Sequence, residues 1–223
     1  MKIRIIIAFI LACSLIGLIF WLAPKIYNAP QPQYDTPKEK KVGYYLNQEF
    51  GFSSHYPDGG EIEKTFSQYY HLPPTWRVEA DPDSSGTPIV AFPVFRIRQE
   101  ETAKTKTFPL YFSTELRIGV SADAKEITRC LEPDASGGEQ YIGEDTMNGL
   151  TYKKFSFADG GMMKYIKGVS YRIIRNNQCY AIEAVAASSI YRDETFEGGL
   201  TEEELDGYFQ ETVDLIRGFN FTR

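Results

Sequence analysis

The sequence predicts an α+β protein of strands and two helices, preceded by one transmembrane helix. Three observations lead to this fold class. An uncharged apolar run opens the 223-residue chain. The whole chain contains 15 Tyr, 15 Phe and 2 Trp, and the apolar residues after this run often alternate at period two, as in half-buried strands. In two further segments the apolar residues recur at helical spacing, and each segment begins with capping residues.

The apolar run predicts a membrane anchor. Residues 5–23 carry no charged side chain and follow the basic residues Lys2 and Arg4. A helix of this length spans ~28 Å, close to the thickness of one bilayer core. A cleavable signal would be shorter and would end at a small-residue site, whereas this run continues into Pro24. We therefore expect residues 1–23 to cross the cell membrane once, with the N-terminus cytoplasmic and the rest of the chain extracytoplasmic.

Cys13 allows an alternative interpretation of the same run. Together with residues 10–12 it resembles a lipobox, in which the Cys is lipidated after cleavage. Cleavage there would leave a second apolar stretch, where a lipoprotein normally turns polar at once. An unmodified Cys within the helix is therefore favoured, and lipidation of Cys13 is the minor alternative.

A linker and one domain follow the anchor. In residues 24–41, four prolines stand among polar residues that cannot build a core, which predicts an extended spacer of up to ~55 Å. Residues 42–223 have about the length of one domain.

Period-two patterns and turn residues place the strands of this domain. The clearest pattern, over 108–120, predicts one core face and one half-exposed face. The turn residues Asn176 and Asn177 predict a hairpin that sets Ile173 opposite Tyr180 and Ile174 opposite Cys179. The expected strands are 44–46, 50–52, 76–79, 89–98, 108–120, 141–143, 150–157, 165–175 and 178–186, with a half-strand at 219–221.

Two helices complete the prediction. Asp123 and Glu126 form a capping box for a short helix that ends near Leu131. Thr201 and Glu204 cap a longer one, whose apolar side chains share one face. These are Leu205, Tyr208, Phe209, Thr212, Val213 and Ile216.

The two ends of the domain resemble the PsbP-like superfamily. The segment 45–57, YLNQEFGFSSHYP, is similar to that family's opening Y-x-N-x-x-x-GFSF-x-YP strand pair. The segment 216–221, IRGFNF, is similar to its closing I-x-x-SF-x-F. The resemblance implies an extracytoplasmic or organellar α-β-α sandwich, an antiparallel sheet with helices on both faces. It also implies an accessory or binding role and no catalytic activity.

Charge excludes some partners. Residues 1–41 hold six of the 24 basic residues and two of the 30 acidic residues, so the part from residue 42 onward has a net charge of −10. Such a field repels phosphate backbones, which excludes nucleic acid and favours a neutral, cationic or metal-bridged partner.

Motifs for catalysis are missing from the sequence. His55 and His71 are the only histidines, and no H-E-x-x-H, C-x-x-C or G-x-S-x-G occurs. Ser54 and His55 are neighbours on a predicted strand and point to opposite faces, so they do not form a nucleophile pair. We predict no enzyme activity and no cofactor.

Asp81, Asp83 and Ser85 weakly match a calcium loop. With Gly86 they match its first half, but position 12 is Phe92 instead of a bidentate Glu. An ordinary turn is therefore favoured, and no metal site is predicted.

Cys130 and Cys179 predict a disulfide. Cys130 shares a helix face with Ile127, and the hairpin register puts Cys179 on the sheet face that such a helix would cover. Outside the cytoplasm such a pair is oxidised, whereas two buried thiols remain the alternative.

Taken together, these features predict a membrane-tethered extracytoplasmic accessory or binding domain without catalytic activity. Its partner would be an unknown envelope protein or a small ligand. A structural or sensory ectodomain is the alternative, and an unrecognised hydrolase is a more distant one.

Overall fold

The computed structural model describes residues 41–66, 75–81, 83–99, 110–134, 138–161, 164–189 and 201–222. The predicted anchor and almost all of the linker lie outside these ranges. The described residues all belong to one compact unit, Lys40–Arg223. No helix within them is long and apolar enough to cross a membrane.

In the described ranges, strands outnumber helices. The strands are Val42–Asn47 (β1), Phe52–Pro57 (β2), Thr87–Gln99 (β3), Leu110–Ser121 (β4), Gln140–Met147 (β5), Leu150–Gly161 (β6), Lys164–Arg175 (β7), Gln178–Ser188 (β8) and Asn220–Phe221 (β9). The helices are Ala124–Arg129 (α1) and Glu202–Leu215 (α2), and a 3-10 turn at Ile216–Gly218 follows α2. The strands form a small sheet of order β1-β2-β9 and a six-stranded sheet of order β3-β4-β8-β7-β6-β5.

Asparagine turns set the register of the large sheet. Asn176 and Asn177 have φ angles of 50° and 57°, in the left-handed region that Asn tolerates. Ile173 therefore lies opposite Tyr180, and Ile174 lies opposite Cys179, which confirms the predicted hairpin. Pro93 lies at a bulge of the edge strand β3, a position where its missing N–H is tolerated.

The first strand pair differs from the prediction. Asn47 accepts a hydrogen bond from the backbone N–H of Phe50 at 2.8 Å, and Gly51 has a φ of 64°. These two features close a turn, so the second strand begins at Phe52 instead of Phe50. The predicted pairing of the two strands is confirmed. The predicted short strand at 76–79 is absent from the structure, in which residues 75–80 form bends and turns.

One face of the large sheet carries the main core, and α2 packs on it. The capping box predicted at the start of α2 is present: Thr201 accepts from the N–H of Glu204 at 3.2 Å, and Glu204 accepts from the N–H of Thr201 at 2.8 Å. Phe209 and Val213 of α2 pack on this core. Its buried side chains include Phe52, Val90, Phe92, Leu116, Ile118, Val120, Tyr180, Ile182, Ile216 and Phe219.

The opposite face shows that the predicted α-β-α sandwich is wrong. Irregular segments at 75–81, 131–134 and 138–139 lie over this face together with α1, which is only six residues long. Gly119 permits the closest approach, because a Cβ there would collide with the carbonyl oxygen of Trp76. The described fold is therefore mostly antiparallel sheet, with one long helix on one face and no helical layer on the other.

The predicted disulfide is present on this second face. Cys130 caps the C-terminus of α1 and is bonded to Cys179 of β8, with their Cα atoms 5.8 Å apart. Both cysteines are buried beside Trp76. The bond fastens α1 to the centre of the sheet.

The small sheet packs on β3 through aromatic rings. Tyr56 stacks on Phe92 with ring centroids 5.2 Å apart, and Tyr45 meets Phe92 edge-on at 5.4 Å. Phe52 stacks on Phe219 at 5.3 Å. Gly43 leaves room for this packing, because a Cβ there would collide with the ring of Tyr56. The inner face of β1 and β2 is thus committed to the core.

Candidate functional site

Six charged side chains lie buried on the face of the large sheet that faces away from α2. Each is at most 7% exposed. We call them the buried charge cluster: Arg77, Glu126, Asp134, Glu139, Arg172 and Glu183.

Members of the buried charge cluster form ion pairs with one another. Arg77 lies 3.6 Å from Asp134 and 3.9 Å from Glu126 and Glu139. Arg172 of β7 is paired with Glu139. It also donates to the carbonyl oxygen of Glu132 at 3.1 Å and to the hydroxyl of Ser170 at 3.2 Å.

The cluster also replaces missing backbone partners. Glu183 of β8 accepts from the N–H of Val78 at 2.8 Å, and Glu139 accepts from the N–H of Asp134 at 2.8 Å. The irregular covering segments thus obtain from side chains the hydrogen bonds that a strand would obtain from its neighbours. This arrangement attaches them to the sheet.

Burial and excess negative charge perturb two groups here. Burial, followed by repulsion from Arg77, lowers the pKa of Arg172 to about 9. Burial, followed by Glu183, Asp159 and Asp134, raises the pKa of Glu79 to about 7. Glu79 therefore takes up a proton near neutral pH, as expected for a carboxyl group held among other carboxylates.

A second group of charges lies towards the β3 edge. Arg96 donates to Glu63 at 2.6 Å and to Glu115 at 3.1 Å. Glu115 also pairs with Arg117, whose guanidinium lies 4.7 Å from the centre of the Phe66 ring. Glu115 and Arg117 are 2% and 1% exposed, so the half-exposed face predicted for 108–120 is in fact buried.

An open groove lies on the other side of the molecule, between the outer face of the small sheet and α2. Its volume is about 950 Å³. His55 forms part of the wall and packs so closely on Gly218 that a Cβ there would lie 2.7 Å from the His55 Cβ. The groove is lined by Lys41, Val42, His55, Pro57, Asp58, Gly207, Gln210, Glu211, Asp214, Leu215, Arg217 and Gly218.

An exposed apolar stripe continues from the groove along β1. Alternate residues Val42, Tyr44 and Leu46 face outwards and are 49%, 60% and 46% exposed. Tyr44 lies against His55, with ring centroids 6.2 Å apart. We call this stripe and the groove the β1 surface. An apolar strip of this kind beside a polar-rimmed groove is typical of an interaction site.

The other residues singled out in the sequence are distributed as follows. Ser54 is fully buried and donates to the carbonyl oxygen of His55 at 3.3 Å, whereas the His55 side chain is exposed on the outer face. Cys13 and His71 lie outside the described residues.

Asp81, Asp83 and Ser85 form a turn. Asp81 accepts from the N–H of Asp83 at 3.0 Å, and the carbonyl oxygen of Ser85 accepts from the hydroxyl of Ser121. Within the described ranges, no group of three or more His, Cys, Asp or Glu side chains is arranged to hold a metal ion.

The sequence analysis missed both the buried charge cluster and the β1 surface. A signal for the first exists in β8, whose sequence QCYAIEAVAAS is apolar at both parities except for Glu183. A strand with two apolar faces is covered on both sides, so its one charge has to find a buried partner.

Comparisons with known proteins give structural similarities at low identity. No protein-family model and no curated protein sequence matches the chain. The chain is similar to cyanobacterial PsbP (CyanoP) from Synechocystis, with a TM-score of 0.37, 11% identity, and coverage of 86% of this chain and 99% of that one. It is also similar to LpqN of Mycobacterium tuberculosis, which is involved in cell envelope biogenesis, with a TM-score of 0.30, 12% identity, and coverage of 85% and 88%. Membership of the PsbP-like superfamily stays a prediction.

Proposed function

We propose that the chain is a membrane-tethered, extracytoplasmic accessory or binding domain without catalytic activity, and that its partner docks on the β1 surface. One observation carries this proposal. The structure leaves a row of apolar side chains, Val42, Tyr44 and Leu46, exposed beside a groove. An exposed apolar row costs solubility and is typical of an interaction surface.

Two further features support the placement outside the cytoplasm. The apolar run at 5–23 has the length and flanking charge of a membrane anchor. The disulfide between Cys130 and Cys179 is of the kind that persists in oxidising compartments. A phosphatase reporter fused after Arg223 should therefore be active outside the cell, and an inactive reporter on a stably expressed fusion would contradict this topology.

The docking surface is tested with a matched pair of tyrosines. Tyr44 on β1 is 60% exposed, and Tyr141 on β5 is 50% exposed. Both lie on edge strands in the described ranges. A photoreactive phenylalanine analogue at position 44 of the full chain, in intact membranes, should crosslink to an envelope protein that wild-type chain co-purifies. The same analogue at position 141 should not.

Substitution gives the second half of this test. Tyr44→Ala should reduce co-purification of that envelope protein, while Tyr141→Ala should leave it unchanged. Equal capture by wild type and both variants, with no crosslink from position 44, would show that binding at the β1 surface is not the function.

A further inference from the structure

The hydrogen bonding of β1 shows which of its backbone groups are open. The N–H of Asp58 donates to the carbonyl oxygen of Lys41 at 3.3 Å, so Lys41 and Asp58 form a hydrogen-bonded pair of the antiparallel ladder. Such pairs alternate along the strand, which makes residues 43, 45 and 47 bond to β2. Val42, Tyr44 and Leu46 therefore direct their N–H and C=O groups away from β2, to the free edge.

Within the part of the chain that the structure describes, the β1 edge carries none of the usual protection. Edge strands are commonly guarded by Pro, by charged residues or by bulges. Among the described strands, β3 has Pro88, Pro93 and two register shifts on its edge. The other end of the large sheet, β5, has a register shift at Tyr141/Gly143. The β1 sequence VGYYLN has no Pro and no charge, and its pairing with β2 is regular.

Backbone and side chains of β1 point to the same kind of ligand. Three open N–H groups and three open C=O groups recur along about 20 Å of strand. The same three residues present the exposed apolar side chains of the β1 surface. An extended peptide that adds to the edge would form backbone hydrogen bonds and cover these side chains together.

The charged residues that line the groove favour one kind of extended peptide. The groove beside Val42 is lined by Asp58, Glu211 and Asp214 against Lys41 and Arg217, and Arg217 also pairs with Asp145 at 3.5 Å. Side chains of an added strand that share the outer face with Val42 project towards this groove. The charge that α2 contributes to the groove is acidic, because Glu211 and Asp214 line it and the helix contains neither Lys nor Arg.

We propose that β1 accepts an extended segment of a partner protein as an added strand, and that this segment carries Lys or Arg side chains that face the acidic groove. This inference deepens the proposed function and rests on it. A second copy of the chain is disfavoured as the occupant, since two domains that each have a net charge of −10 repel one another. An anionic membrane surface is disfavoured for the same reason.

A defined peptide tests the inference on the detergent-solubilised full chain. The probe is acetyl-Lys-Val-Lys-Val-Lys-Val-amide, and its matched control has Glu in place of Lys. The Lys probe should bind saturably and slow hydrogen exchange of residues 42–47, and the Glu probe should bind at least about tenfold more weakly. Equal binding of both probes would overturn the charge preference. Unchanged exchange at 42–47 with the Lys probe would overturn the strand addition.

Two variants separate backbone pairing from side-chain contact. Tyr44→Pro removes an N–H that points away from β2, so the β1–β2 ladder stays complete. Tyr44→Val removes the ring and keeps the N–H. We expect Tyr44→Pro to weaken binding of the Lys probe about tenfold, and Tyr44→Val to stay within about threefold of wild type. Equal weakening by both variants would overturn backbone pairing.

A change in the probe alone avoids any effect of Pro on folding. Two versions of the Lys probe are N-methylated at alternate residues, so that each has one of its two edges blocked. The version whose pairing edge is blocked should no longer slow hydrogen exchange of residues 42–47. If both N-methylated versions bind like the parent, strand addition is wrong. Protection that rises with protein concentration without a probe would instead identify a second copy. In either case, Tyr44-dependent capture of an envelope protein would leave the proposed binding function standing.

Discussion

Replacing Arg172 by Met should destabilise the domain by about 3–5 kcal/mol, the usual cost of leaving a buried charge without its partner. Arg172 is fully buried, and its partner Glu139 is 7% exposed. Met keeps most of the apolar stem, which packs near Phe155, where the guanidinium now lies 4.1 Å from the ring centre. Glu139 would keep the N–H of Asp134 at 2.8 Å, but the nearest cation that the structure describes beside it would be Arg77, at 3.9 Å.

Most of this destabilisation comes from leaving the Glu139 carboxylate buried without its cation, and less comes from losing the attraction between Arg172 and Glu139. Burial lowers the pKa of Arg172, so the desolvation of its charge offsets part of its attraction to Glu139. Glu139→Gln in the same chain removes the negative charge and still accepts from the N–H of Asp134. We therefore expect the double variant to recover about 1–3 kcal/mol relative to the sum of the two single variants.

Thermal unfolding of the detergent-solubilised full chain, followed by the fluorescence of buried Trp76, measures these effects. For a domain of this size, a loss of about 3–5 kcal/mol lowers the unfolding temperature by roughly 6–20 °C. Arg175→Met on the same strand is the matched control, because this residue is only half-buried, and it should cost less than about 1 kcal/mol. A shift for Arg172→Met no larger than that of the control, or strictly additive single effects, would refute this account of the cluster.

Two further predictions concern the same face. Non-reducing peptide mapping of protein purified from the envelope should recover Cys130 linked to Cys179, and replacing both by Ala should cost about 4 kcal/mol for the closed loop of 49 residues; alkylation of both thiols without reductant would contradict this. Glu79 has a folded pKa of about 7, above the value of an unfolded Glu, so the native state binds more protons between these values. The unfolding temperature should fall as the pH rises from about 5 to about 8, and Glu79→Gln should flatten this dependence; an unchanged slope in the variant would show that another group is responsible.

Local rules were sufficient for the hairpin at Asn176 and Asn177 and for the capping box of α2. Asn176 and Asn177 tolerate positive φ and so mark the turn. The alternation of apolar residues on either side of this turn is compatible with one register, so the partner of each residue followed from the sequence. Thr201 and Glu204 satisfy each other's backbone N–H groups within four residues. Such features depend only on near neighbours along the chain.

The cover of the second face could not be predicted in this way. Glu115 and Arg117 alternate with core residues in the sequence. Charged residues that face solvent give this pattern, and so do charged residues that are buried against distant partners, so the pattern does not distinguish the two. The segment around Val78 has strand-like alternation, but its N–H is satisfied by the carboxylate of Glu183, 105 residues away. Once a side chain supplies that bond, the segment needs no neighbouring strand. The expected strand and the expected helical layer failed for this one reason.

Edge position is likewise a tertiary property, and it decides what β1 does. The segment VGYYLN reads as a strand in the sequence, and nothing within it distinguishes an edge strand from a central one. The order β1-β2-β9 makes the difference, because the C-terminal residues Asn220 and Phe221 occupy the far side of β2. β9 pairs with β2 at Phe52 and Ser53, and no described strand pairs with the other side of β1. Val42, Tyr44 and Leu46 therefore offer open ladder positions along β1, which is the condition for strand addition.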